Sequence, residues 1–279
     1  MALKITILCE NTVGRLIGSG EHGFSAFIEA DQGNYLFDTG NGHSVISNSL
    51  VMNKDLKNLE KIFLSHGHYD HTGGLPDVLK VKGRVDVHVH PHVFLDRIAV
   101  EKRDGKETKR FVGLPYKKGY LEYLGAHFLL SSHFVEVETG MFLTGEVPRR
   151  TSFEKPDPRL FSEIDGKSGQ DLFFDDQSLV LDTNKGFVVL LGCAHSGIIN
   201  ILNHIIQQTG KENIYAILGG THLDFLAPEQ LEESIQSLKQ MPIQKIGVSH
   251  CTGMNAAFRL RQDFGDRFFY GSVGSVLEV

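Results

Sequence analysis

Residues 66–71 read His-Gly-His-Tyr-Asp-His, and this hexapeptide constrains the chain more than any other stretch. It follows an apolar run, Lys-Ile-Phe-Leu, that is typical of a β-strand ending in a loop. Side chains two positions apart on an extended chain point the same way, so His66 and His68 can bind one ion together. Asp70 and His71 lie where the chain turns and could face a second position. Imidazole and carboxylate ligands suit zinc, iron(II) or manganese(II), so the hexapeptide predicts a divalent metal site.

A strand that ends in a histidine-bearing loop is predicted three more times in the second half of the chain. Three apolar runs are each followed by a histidine, namely His195, His222 and His250, and then by a segment with helical periodicity. Open α/β sheets bind ligands at the carboxyl ends of their strands. We therefore expect an α/β fold in which these histidines gather beside residues 66–71.

The hexapeptide resembles the H-x-H-x-D-H signature of the metallo-β-lactamase superfamily. Other phrases resemble its dihydropteroate-synthase-like branch, the proteins similar to ribofuranosylaminobenzene 5′-phosphate synthase. Those phrases lie at residues 8–11, 21–25, 144–149, 192–200, 219–223 and 249–253. The resemblance covers nearly the whole chain. It implies an α/β fold that is a four-layer αββα sandwich, with one or two metals at the sheet edges.

The resemblance also implies a set of metal ligands. Position by position, the signature matches His66, His68, Asp70, His71 and His250. The middle of the pattern is less regular, because Cys193 stands where an aspartate or cysteine that bridges two metals is expected. Cys193 could be a soft ligand, could lie behind the ligands, or could be a small buried apolar residue. We interpret His195 as the remaining histidine ligand, with His133 as the alternative.

Several further residues are candidates for supporting or catalytic roles. In the superfamily, the Asp-Thr-Gly at 38–40 supports the metal loop, so Asp38 is predicted to orient a ligand imidazole through its N–H. The alternative for Asp38 is a cap on the helix that begins near residue 42. His222 has no role in the signature set and is our candidate general acid or base, and Asp70 is assigned to catalysis as well as to the metal. His22 lies in a loop expected near the site and could contact substrate.

Basic residues are concentrated in two segments that we interpret as long surface loops. One spans residues 96–120 and the other carries Arg149 and Arg150. A solvated basic face is one explanation, and a grip on a phosphate or carboxylate of the substrate is the other. We expect one domain over residues 1–279, with an insertion at roughly 95–175 that could serve as a lid.

Composition excludes several classes of partner. The 279 residues carry a net charge of −6 without a long basic run, which disfavours nucleic acid as a partner. No apolar segment approaches the length that a membrane span needs. Three cysteines are too few for a disulfide framework, so we expect a cytoplasmic protein. The oligomeric state stays open.

Three functions fit these observations. The first is a metal-dependent hydrolase that uses metal-activated water on a small ester, lactone or phosphodiester, with one or two ions, zinc before iron or manganese. The second, implied by the branch, is a transferase that condenses a pterin methyl diphosphate with an aminobenzene ribose phosphate. The third is a non-catalytic metal-binding sensor, whose metal would have every coordination position filled by protein. In the first two cases, we expect a small anionic substrate.

Overall fold

The computed structural model describes residues 2–14, 17–164 and 166–279. Two seven-stranded sheets carry most of the chain, and the first is built almost entirely from its N-terminal half. In spatial order, the first sheet contains β18 (Val276–Glu278), β1 (Leu3–Cys9), β2 (Ser25–Ala30), β3 (Gly33–Phe37), β4 (Leu59–Phe63), β5 (Val85–Val89) and β8 (Ala126–Leu130). Its helices are α1 (Val45–Val51), α2 (Tyr69–Thr72), α3 (Leu75–Lys82) and α4 (Lys118–Tyr123).

The second sheet is built from the C-terminal half and contains the predicted strand–loop–helix units. Its strands, in spatial order, are β17 (Phe268–Tyr270), β16 (Ile243–Ser249), β15 (Ile214–Gly220), β14 (Gly186–Leu191), β13 (Leu179–Thr183), β10 (Met141–Leu143) and β9 (Val135–Glu138). Its helices are α5 (Ile198–Thr209), α6 (Pro228–Gln240) and α7 (Met254–Phe264). The capping position of α5 is occupied by Gly197, whose φ is 95°.

Alternation along the strands divides the buried side chains among three cores. On β14, Val188 and Leu190 point into the core between the two sheets, whereas Val189 and Leu191 point into the core beneath α5, α6 and α7. A third core fills the space between the first sheet and its helices. Helix, sheet, sheet and helix layers result, which confirms the predicted four-layer α/β fold.

The prediction of long loops at residues 96–120 was wrong. A hairpin of β6 (Arg97–Arg103) and β7 (Lys106–Phe111) pairs with a second hairpin of β11 (Leu160–Ile164) and β12 (Lys167–Gln170), in the order β12-β11-β6-β7. We call these four antiparallel strands the small sheet. Its members were missed because few of their side chains are apolar and β7 is exposed along its length. A lid role for residues 95–175 stays a prediction.

The carboxyl ends of the parallel strands bring the candidate residues to one edge. β14, β15 and β16 run parallel, and the loops after them carry His195, His222 and His250. Two of these histidines, His222 and His250, have φ angles of 54° and 52°, in the left-handed region that most side chains avoid. Such strain is common at functional sites. Among the described residues, no helix is long and apolar enough to cross a membrane.

Candidate metal centre

Three histidines from two loops place nitrogen atoms around one point. The Nε2 atom of His66 lies 3.0 Å from Nδ1 of His68, and His195 completes a group whose ligand atoms all lie within 4.8 Å of one another. We call these three residues the histidine triad. Burial lowers the pKa of each imidazole well below its ordinary value.

The triad fits a divalent metal ion. Low pKa values keep the three imidazoles neutral, and metals bind that form. The buried Nε2 atom of His195 has no hydrogen-bond partner among the described residues. An unpartnered buried nitrogen is costly, and coordination to a cation would satisfy it.

A second group lies beside the triad. The Oδ2 atom of Asp70 lies 3.2 Å from Nε2 of His250 and 3.1 Å from Nε2 of His22. His71 approaches the same point, with its Nε2 atom 3.2 Å from Nε2 of His250. Burial opposes ionisation of Asp70, but His22 and His250 outweigh it and hold its pKa well below the usual range. This carboxylate and the imidazoles form a donor set that suits a second divalent ion.

Asp38 contacts a ligand imidazole in the manner predicted from the sequence. One carboxylate oxygen, Oδ2, lies 2.7 Å from Nδ1 of His71, and both oxygens accept hydrogen bonds from Ser65. Burial opposes the charged imidazolium of His71, yet Asp38 raises the pKa of His71 to about 9. The cap interpretation was wrong, because Asp38 binds the metal loop and the capping position of α1 is held by Ser44.

Two residues that support His250 were not singled out from the sequence. The backbone N–H of His250 donates to Oε1 of the fully buried Glu10 at 2.6 Å, and Nδ1 of His250 lies 2.9 Å from Oδ1 of Asn11. Asn11 also lies within 3.5 Å of Nδ1 of His22. The Glu-Asn pair belongs to a phrase that pointed to the branch, which is the signal that could have found it.

Two buried cysteines lie beside these ligands. The Sγ atom of Cys193 is 3.2 Å from Nε2 of His71, and Cys251 lies close enough to group with Cys193 and His250. Burial raises the pKa of the Cys193 thiol well above its ordinary value. Cys193 is buried beside His71, a position that is compatible with all three interpretations given above.

His222 pairs with a carboxylate from outside the predicted set. Its Nε2 atom lies 3.2 Å from Oδ2 of Asp157, and its ring centroid is 4.5 Å from that of His195. Burial disfavours the imidazolium, but Asp157 and Cys251 outweigh it and raise the pKa of His222 to about 9. A protonated imidazole here can donate a proton into the cleft beside the triad.

The cleft above these groups carries two arginines, but they are not the predicted pair. Arg110 and Arg159 line it, together with ligand candidates from both metal groups and His22. Arg149 instead donates to the carbonyl of His195 at 2.7 Å, and Arg150 is exposed and donates to Gln207. The structure therefore does not bring Arg149 and Arg150 to the substrate side of the site.

Two other histidines lie elsewhere, namely the alternative ligand His133 and His90, which directly follows β5. His133 is exposed and does not line the cleft. The ring of His90 is buried between Glu146, 3.1 Å from Nε2, and the backbone N–H of His92. Of the two alternatives for the triad, the structure therefore brings His195, and not His133, to His66 and His68.

Comparison with known proteins agrees with this fold. The sequence model of the metallo-β-lactamase superfamily matches residues 18–141. A 7,8-dihydropterin-6-methyl-4-(β-D-ribofuranosyl)-aminobenzene-5′-phosphate synthase of Methanocaldococcus jannaschii is 30% identical over 270 residues, 92% of this chain and 90% of the relative. The chain belongs to the metallo-β-lactamase superfamily. This confirms the resemblance drawn from the hexapeptide.

Two further relatives are similar over almost their whole length. An uncharacterised protein of the same archaeon is 31% identical over 282 residues, 99% of this chain and 100% of the relative. A crystal structure of a metal-dependent hydrolase of the β-lactamase superfamily superposes with a TM-score of 0.85 at 28% identity, covering 99% of both chains. Membership of the superfamily supports an enzyme that depends on a divalent metal.

Proposed function

We propose that this protein is a metal-dependent hydrolase of a small anionic ester, with a phosphodiester as the first substrate class to test. The proposal rests on the residues that line one cleft. Candidate metal ligands, the His222–Asp157 pair and the guanidinium groups of Arg110 and Arg159 all line it. Such a site can bind an anion, polarise it and protonate a leaving group.

The residues divide the work as follows. The two ligand groups would each hold a divalent ion, and such an ion would supply a Lewis acid and lower the pKa of a water molecule. Arg110 and Arg159 hold the anionic part of the substrate. His222 donates the proton at Nδ1, which has no hydrogen-bond partner among the described residues, to the departing oxygen. Asp157 binds the opposite nitrogen, Nε2, and so keeps the ring oriented and favours its protonated form.

Zinc is the first candidate for the metal, because imidazole nitrogen and carboxylate oxygen are among the donors it binds. The triad would hold one ion, and Asp70, His71 and His250 a second. The sensor alternative is less well supported, since the ligands border a cleft of about 210 Å³ rather than a closed shell. A small anionic partner, the exclusion of nucleic acid and a cytoplasmic location stay predictions. All three cysteines are free, which suits a reducing compartment.

A synthase is the second candidate function. It is favoured by the relative that is 30% identical over 92% of this chain and bears that name. In the transferase, the same metals and arginines would hold a diphosphate leaving group. Both candidates therefore use the same anion site and differ in whether water or a second substrate attacks.

Substrate trials with zinc-loaded, iron-loaded and manganese-loaded protein test the proposal. The panel is bis(p-nitrophenyl) phosphate, p-nitrophenyl acetate and a homoserine lactone, each with His222→Gln as the comparison. Hydrolysis that needs both the metal and His222 supports the hydrolase. Release of pyrophosphate from a pterin methyl diphosphate, only when an aminobenzene ribose phosphate is added, would support the synthase and contradict the hydrolase.

A further inference from the structure

Residues 171–175 form a turn between the small sheet and the histidine triad. Phe173, at the centre of this turn, is fully buried and has a φ of 53°. Side chains rarely adopt this left-handed conformation, because the Cβ atom then crowds a backbone carbonyl oxygen. Strain of this kind persists only where the surroundings impose it.

Arg97 bridges the two ends of this turn. Its Nε–H donates to Oδ2 of Asp171 at 2.6 Å, and its Nη2 donates to Oδ1 of Asp175 at 2.6 Å. We name these three residues the arginine clasp. Arg97 is only 1% exposed, so water is excluded from the arginine clasp. Its charge-assisted hydrogen bonds are therefore strong. The sequence had placed Arg97 among solvated or substrate-binding basic residues, and the structure contradicts that.

The turn held by the arginine clasp contacts both loops of the histidine triad. The second oxygen of Asp175 accepts a hydrogen bond at 2.8 Å from the backbone N–H of Gly67, which lies between His66 and His68. The ring of Phe173 stacks on His195, with centroids 3.9 Å apart and planes 13° from parallel. Both loops that supply the triad are therefore held by one turn.

We propose that Arg97 is a positioning residue that sets the geometry of the histidine triad and thereby its affinity for a metal ion. The inference rests on the proposed metal site, but it does not require that the reaction is hydrolysis. Phe173 transmits the effect of Arg97 to His195, because no other described residue fixes that ring through a hydrogen bond to Nε2. Asp175 transmits the effect of Arg97 to the loop of His66 and His68.

Zinc affinity of the purified chain tests the proposal. Dissociation constants are measured by competition with a chromophoric chelator for wild type, Arg97→Met, Arg97→Lys and Phe173→Leu. Arg97→Met is expected to weaken binding about 10–100-fold, the usual effect of losing a partner of a metal ligand. The zinc affinity of Arg97→Lys should lie between those of wild type and Arg97→Met, because an ammonium cannot span both carboxylates. Phe173→Leu keeps an apolar side chain and should weaken binding about 10-fold.

Arg259→Met is the matched control. Arg259 also joins two carboxylates, Glu232 and Asp263, but it does so on the surfaces of α6 and α7. We expect its zinc affinity to stay within twofold of wild type. Repeating the series in His250→Ala, which disrupts the second group, assigns the loss to the triad.

A spectroscopic readout separates positioning from general destabilisation. The visible absorption of cobalt(II)-substituted protein depends on ligand geometry, so Phe173→Leu and Arg97→Lys should shift or weaken its bands. Arg259→Met should leave the spectrum unchanged. A merely structural role would lower the stability of the metal-free chain without changing this spectrum.

The outcomes are distinct. Wild-type zinc affinity and an unchanged cobalt spectrum in Phe173→Leu and Arg97→Lys would overturn the proposal. If Arg97→Met does not fold, the zinc affinities and cobalt spectra of Phe173→Leu and Arg97→Lys test the proposal without it. A protein that binds zinc through the clasp-dependent triad yet hydrolyses nothing would overturn the proposed function and leave this inference standing.

Discussion

The Nε2 atom of His222 lies 3.2 Å from Oδ2 of Asp157, and the same carboxylate accepts hydrogen bonds from Arg159. One buried aspartate therefore joins the proton donor to the anion-binding side of the cleft. Burial opposes its ionisation, yet Arg159 and His222 hold the pKa of Asp157 below its ordinary value. This arrangement keeps a negative charge against His222 at neutral pH.

Replacing His222 should remove proton donation while leaving the metal in place. We expect His222→Gln to lower kcat about 100-fold or more, the usual contribution of a general acid, with little change in metal content. His133→Gln is the matched control, since His133 is exposed outside the cleft. Equal activity of the two variants would contradict the assignment of His222.

Arg110 should bind the anionic part of the substrate. Its guanidinium lines the cleft and donates to the hydroxyl of Tyr69 at 3.0 Å. We expect Arg110→Met to raise KM about 10-fold or more for an anionic substrate, because a charge-assisted hydrogen bond contributes about 1.5–3 kcal/mol. Lys109→Met is the control, because adjacent strand residues face opposite sides of the sheet. A KM equally changed by both variants would show a general charge effect instead.

Removing Asp38 should weaken both the fold and the metal site. The change to alanine leaves three buried donors of Ser65 and His71 without their acceptor. We expect Asp38→Ala to lower the free energy of unfolding of the metal-free chain by about 3 kcal/mol, measured in urea, and to weaken zinc binding at least 10-fold. Asp31→Ala, on an exposed turn, should do neither. Wild-type zinc affinity in Asp38→Ala would refute the orienting role.

His88 should make the metal-free fold sensitive to acid. Burial, with help from Lys61, lowers the pKa of His88 to about 4. Between pH 6.5 and 4 the unfolded chain binds a proton there that the folded chain does not, so stability falls as the pH falls, by up to about 1.4 kcal/mol per unit. Urea unfolding of metal-free His88→Gln should show a flatter pH dependence than wild type. His127→Gln, at an exposed position on the neighbouring strand, should keep the wild-type slope.

The ligand-bearing part of the site could be predicted because its information is local. The hexapeptide at 66–71 and the strand ends before His195 and His250 each occupy a few consecutive residues. Period-two and helical patterns then place those loops at one sheet edge.

The supporting residues could not be predicted because their partners are distant in sequence. Arg97 meets Asp171 and Asp175 more than 70 positions away. Nothing local separates this buried arginine from the exposed basic residues that follow it. The position of Arg149 could not be predicted for a similar reason. Its partner is the backbone carbonyl of His195, and every residue type carries such a carbonyl.

Metal content tests the central claim most directly. Freshly purified wild type, His195→Ala and His133→Ala are compared by elemental analysis, after circular dichroism shows that all three are folded. We predict one or two divalent ions per wild-type chain, at least one fewer in His195→Ala, and the wild-type number in His133→Ala. Full metal content in His195→Ala, with a loss in His133→Ala, would contradict the triad.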